Sequence, residues 1–179
     1  MQSLADYVAG KRVALVGNAM SMLINAEPDF IDGHDVVIRI NLGLPGIIAP
    51  FLIGERTSVW ASAKHWPEAK APEDCRFVLF MKLTELGDRH WDAWQQDPPH
   101  CPMLRWTPKL EQECREFVGA DPGTGVRLLW WLKTKASPRV VNIVGFDCWK
   151  SPSHWSGRRN TPNHNPDLEQ AAIDKLMQE

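Results

Sequence analysis

Two patterns alternate along the chain: short, mainly apolar runs, and longer mixed stretches with apolar residues at helical spacing. Residues 13–16 (Val-Ala-Leu-Val) make the first run, which stops at Gly17-Asn18. A helix-compatible segment follows, and a second run, Val36–Ile40, stops at Asn41. Further strands are expected at 57–61, 77–81, 103–106 and 139–144, and helices at 86–96, at Pro108–Val118, after Gly125, and from Pro166 to about Met177. Thr107 and Asn165 suit N-caps, each followed by a proline at the first helical position. Pro- and Gly-containing dipeptides make the stretch after Asn41 a loop, and residues 64–74 and 150–165 read as turns and irregular chain. Strands alternating with helices predict an α/β domain with a mostly parallel central sheet flanked by helices.

Polar residues at the ends of those strands add chemistry to this outline. Ligands of open parallel sheets bind at the carboxyl ends of the strands, so Asn18 and Asn41 are expected on one rim. Gly123-Thr124-Gly125 opens an apolar helix, and backbone N–H groups at a helix N-terminus bind phosphate without a lysine. His164 stands before the N-cap of the last helix with Glu169 five residues on, a pairing suited to a general base and its orienting carboxylate. Taken singly, these features equally describe a capped helix and a solvated loop histidine. The Walker GxxxxGK[ST] loop, the GxGxxG of dinucleotide sites and the DxD of metal-bridged diphosphates are absent.

Composition narrows the class further. A chain of 179 residues, 44% hydrophobic and 23% charged, suits one domain spanning residues 1–179. The net charge of −2 gives no indication of nucleic-acid binding. Four scattered cysteines without a CxxC pair argue against a zinc site or a disulfide framework. No apolar run reaches the roughly 18 residues a membrane span needs, and no signal peptide is evident, so a cytoplasmic location is expected. Nine tryptophans are many for this length; Trp149 and Trp155, flanking a polar histidine-containing loop, are the best placed as platforms for a sugar or base.

The order of these features is more specific than any one of them. Val16-Gly-Asn-Ala19 followed by His34-Asp-x-Val-x-Arg39-x-Asn41 resembles the large sialyl motif of the sialyltransferases, glycosyltransferase family 29. Asp121-Pro-Gly-Thr-Gly125, an apolar helix and Val140-x5-Phe146 resemble the small motif; His154-Trp155 and His164-x4-Glu169 resemble the third and very small motifs. The resemblance implies a modified Rossmann-like fold, a GT-A-like variant, and an inverting transferase that uses a CMP-sugar donor without metal or other cofactor. It implies that Asn18 and Asn41 hold the nucleotide and its phosphate, with Ala19 and Arg39 of the same motif as further substrate-binding residues. Gly123, Thr124 and Gly125 would line the phosphate and ribose site, and His154 would support the donor phosphate; beside that resemblance, Trp155 suits a sugar platform, and Arg158 equally suits a sugar carboxylate or a solvated loop. His164 would be the base, with Glu169 beside it.

The chain departs from the family pattern in three ways. Gly123 stands where the small motif usually has Ser, the cysteine pair joining the large and small motifs is missing, and the chain is short. A cytoplasmic microbial or viral form without acceptor-binding insertions is the expectation. The donor sugar stays open between sialic acid, Kdo and similar sugars, the acceptor is a glycan or other hydroxyl, and a homo-oligomer is left open. Two other readings stand beside the transferase: a non-catalytic nucleotide- or glycan-binding module on the same fold, and a nucleotide hydrolase or phosphotransferase on a Rossmann-like sheet.

Overall fold

The computed structural model describes residues 2–24, 27–148, 150–152 and 164–178. Its sheet is built from β1 (Arg12–Val16), β2 (Val36–Ile40), β3 (Val59–Ser62), β4 (Phe77–Phe80), β5 (Met103–Arg105) and β6 (Val140–Val144), in the order β5-β4-β3-β2-β1-β6. Every pairing is parallel, so the expected mostly parallel sheet is wholly so. The helices are α1 (Leu4–Val8), α2 (Ser21–Ile24), α3 (Pro28–Asp32), α4 (Pro50–Ile53), α5 (Glu85–Gln96), α6 (Pro108–Val118), α7 (Thr124–Thr134) and α8 (Pro166–Gln178).

The apolar runs are explained by burial on both faces. Val13 and Leu15 of β1 join the core formed with α1, α6, α7 and α8, while Ala14 and Val16 pack with Met22, Ile31 and Ile53 from α2, α3 and α4. In β3, Val59 and Ala61 face the first core, and Trp60 faces a third cluster with Phe80 and Trp94. Each fully buried Val, Leu or Ile contributes about 1.5–3 kcal/mol, so a two-sided strand tolerates few polar residues.

Local signals account for the helix ends. Thr107 accepts the N–H of Leu110 at 3.3 Å and Asn165 accepts that of Leu168 at 3.1 Å, as their N-cap positions predict. The helix-compatible segment after Asn18 divides into α2 and α3, with Pro28 starting the second. Two short helices add to the expected set. The Ser3–Asp6 capping box starts α1, and α4 follows Ala49 with Pro50 in its first turn. The third strand begins at Val59 instead of residue 57, because the Thr57 N–H is already given to Asp74 Oδ2 at 2.7 Å.

One strand residue defies the apolar rule. Arg39 in β2 is 0% exposed; its Nε donates to Arg56 O at 2.8 Å and its Nη2 to Ile53 O at 2.7 Å, with Asp32 Oδ1 at 3.9 Å. Burial pushes its pKa down to about 10 against the opposing pull of Asp32 and Asp74. The expectation that Arg39 contacts substrate is corrected: its guanidinium anchors the end of α4 and the chain after it. Ile38 and Ile40 face the α7 side, so strand alternation turns Arg39 to the other face. Replacing Arg39 with Leu leaves those two carbonyls without their donor and removes the charge facing Asp32. We expect a loss of roughly 2–4 kcal/mol in urea unfolding.

Candidate functional site

A cleft of about 970 Å³ opens over the carboxyl ends of β1, β2, β3, β4 and β6. It is closed on one side by the N-terminus of α7 and the start of α8, which bring Gly123 and His164 to its wall. Chain order reverses at β1, which pairs with β2 on one side and β6 on the other, and such switch points leave a crevice for ligand.

Asn18 and Asn41 both line this cleft, as their strand-end positions predict. Asn18 Nδ2 donates to Ile40 O at 3.2 Å, which fixes Oδ1 as the outstanding acceptor, buried and without a partner. A Cβ on Gly43 would collide with that oxygen, so the glycine is required there. Such an acceptor matches a hydroxyl or amine better than a phosphate. Asn41 adopts a left-handed backbone (φ 50°), a conformation that Asn tolerates. Its Oδ1 accepts the Ala63 N–H at 3.0 Å, leaving Nδ2 as the donating end. Ala19 is buried beneath the rim, its N–H on Gly145 O at 3.0 Å.

The glycine turn and the last helix meet at a single carboxylate. Glu169 is 3% exposed, and its Oε1 accepts the Gly123 N–H at 2.8 Å. The same oxygen lies 3.4 Å from His164 Nδ1, which also contacts Asp121 O at 3.1 Å. A carbonyl only accepts, so the Nδ1 proton points at Asp121 and Nε2 is the basic nitrogen. Gly123 is the N-cap of α7 and makes no side-chain cap, so the first-turn amides of Thr124, Gly125 and Val126 have no side-chain acceptor at the cap. Thr124 begins the helix; the cap itself is glycine. His164 has its pKa raised above the ordinary imidazole value, first by the Glu169 hydrogen bond and next by the Asp121 carbonyl and both charges, against the cost of burial.

Other residues complete the cleft, and Arg127, Lys64 and Lys82 among them escaped the sequence reading. Phe146, after β6, packs between two glycines: a Cβ on Gly17 would meet its ring at 2.9 Å and one on Gly125 would meet its Cζ at 2.7 Å. Arg127 binds Glu111 through Nε and Nη2, both at 2.7 Å, and Asp121 at 2.9 Å, bracing the α6–α7 corner of the cleft. Lys64 and Lys82 stand at the ends of β3 and β4. Their place after a predicted strand was the available signal. His154, Trp155 and Arg158, with Trp149, lie outside the described residues. Among those described, no group of three His, Cys, Asp or Glu side chains could hold a metal ion, and no helix is long and apolar enough to cross a membrane.

With the cleft in place, comparison with solved structures is informative. The chain superposes on a crystal structure of a mammalian sialyltransferase in complex with Gal-beta-1-3GalNAc-ortho-nitrophenol. The TM-score is 0.72 at 18% identity, covering 98% of this chain and 69% of that one. A second mammalian sialyltransferase structure gives 0.71 at 18% identity, over 94% of this chain and 66% of that one. The fold is therefore of the sialyltransferase type, in agreement with the motif resemblance. No protein-family model and no curated protein matches the sequence.

The raised pKa of His164 makes two measurable statements. Protonation stabilises the folded chain: the increment is fully present below the ordinary imidazole value and is lost as pH rises through the raised one. In Glu169→Gln, which keeps an acceptor for the Gly123 N–H, NMR titration of the His164 ring should move to lower pH. A titration unchanged from wild type would show that Glu169 does not set it.

Proposed function

We propose that the protein is an inverting glycosyltransferase that takes a sugar from a CMP-sugar to an acceptor hydroxyl, with His164 as general base and without a metal ion. The observation that carries this reading is the convergence of Asn18, Asn41, the α7 N-terminus and His164 on one cleft at the switch point. The fold of the sialyltransferase type supports it independently.

The chemistry follows from the positions. His164 Nε2 takes the proton of the acceptor hydroxyl as its oxygen attacks the anomeric carbon from the face opposite the nucleotide. The bond from that carbon to the phosphate oxygen breaks, and CMP departs with the bonding electrons and an added negative charge. The α7 first-turn amides and helix dipole stabilise that charge, a contribution that a single phosphate needs in place of a cation. The Asn18 acceptor suits a ribose hydroxyl or the cytosine amine, and the Asn41 amide a phosphate oxygen. Glu169 holds His164 in the Nδ1–H form and keeps the glycine turn in register with it. As the base must be neutral, turnover falls as pH drops through its raised pKa.

The test is CMP release from CMP-sialic acid and from CMP-Kdo in EDTA, for wild type and His164→Ala. We expect wild-type turnover to persist in EDTA and the variant to lose about 10²–10⁴ in kcat, with CMP affinity within a few-fold of wild type. Equal turnover in the two proteins would remove His164 from the reaction. CMP binding without release or transfer in wild type would favour the non-catalytic module, and a magnesium requirement would favour a hydrolase or phosphotransferase.

A further inference from the structure

The half of the cleft above β3 and β4 has no part in the mechanism above, and its charge is unbalanced. The arginines of the α6–α7 corner are matched, since Arg127 and Arg115 both bind Glu111 and Asp121. Among the described residues, the lysines in ion pairs are Lys109 and Lys135, both remote from Lys64 and Lys82 in the chain. Lys64 and Lys82 line the cleft, and among the described residues no carboxylate lies within 4.0 Å of either ammonium. They also share a neighbourhood: the pKa of His90 is lowered first by burial and then by the charges of Lys64, Lys82 and His65. The two lysines thus bring positive charge to one end of the cleft, with His65 and His90 near them.

Both lysines stand on built backbone. Lys64 O accepts the buried Ser62 hydroxyl at 2.7 Å and the Trp94 indole N–H at 3.2 Å. Its ammonium lies 5.3 Å from the centre of the Trp66 ring, and Trp66 Nε1 donates to Ser62 Oγ at 2.9 Å. Lys82 lies in the short connection between β4 and α5. A Cβ on Gly87 would come within 2.6 Å of Lys82 O, so only glycine lets the helix start so close. Thr84 caps that helix by accepting the Gly87 N–H at 3.1 Å. Two lysines that follow adjacent paired strands into one cleft, with no ion-pair partner among the described residues, leave room for a counter-ion that arrives with the ligand.

We propose that Lys64 and Lys82 form an anion subsite that recognises a carboxylate or phosphate on a sugar bound beside the nucleotide. The position of the nucleotide rests on the transferase reading; the anion preference rests on the lysines. The anion has two available sources, an acidic acceptor sugar or the carboxylate of an acidic donor sugar.

Calorimetry separates them. Galacturonate is titrated against galactose, with and without saturating CMP, and an unreactive 3-fluorinated CMP-sialic acid is titrated against CMP. The proteins are wild type, the double Lys64→Gln/Lys82→Gln variant, and the double Lys→Arg variant at the same positions. A preference of about tenfold or more for galacturonate assigns the anion to the acceptor, and the same preference for the fluorinated donor assigns it to the donor. In either case the preference should vanish in the Gln variant and persist in the Arg variant. The proposal is overturned if wild type prefers neither anion, or if the Gln variant keeps the preference. It is also overturned if the Arg variant, with an unchanged melting temperature, loses it. Failure of wild type to bind CMP would sink the transferase reading instead, and the galacturonate arm without nucleotide would still report on the lysines.

Discussion

The site depends on one buried carboxylate. A carboxylate removed from water is costly unless donors meet it, and Glu169 is met by the Gly123 N–H and the His164 imidazole. Those two contacts join the N-terminus of α7 to the segment that opens α8. They make the last helix part of the cleft wall. The arrangement also has a consequence for ligand binding. One backbone donor of the glycine turn is already occupied by a negative group, so an incoming phosphate has to be met by the amides further into α7.

Close backbone approach shapes the rest. Gly17 and Gly125 have no room for a side chain because Phe146 fills the space between the end of β1 and the start of α7. Gly43 makes way for the Asn18 amide, and Gly87 lets α5 begin against Lys82. The cleft therefore has two differently built ends. Around β1, β2 and α7 it offers the Asn18 and Asn41 amides, helix amides and charges that are already matched, and above β3 and β4 it offers positive charge on backbone fixed by Ser62, Trp94 and Thr84. Arg39, although it falls within a ligand-binding motif pattern, belongs to neither end: it holds the α4 segment on the far face of the sheet.

The sequence by itself determined the elements whose causes are local. Apolar runs such as 13–16 and Val36–Ile40 can only be two-sided strands, and Thr107, Asn165, Pro108 and Pro166 mark helix starts through their own side chains. The polar residues ending β1 and β2, and the spacing of His164 and Glu169, were legible because a strand end and one helical turn place them without long-range information. Tertiary structure decided what depends on partners distant in the chain. Glu169 finds Gly123 across 46 positions, and alternation within β2 could not reveal that Arg39 would meet the carbonyls of Ile53 and Arg56. Lys64 and Lys82 are ordinary lysines in the sequence. They become a charged pair only because adjacent parallel strands end on one rim and no acidic side chain among the described residues pairs with them there.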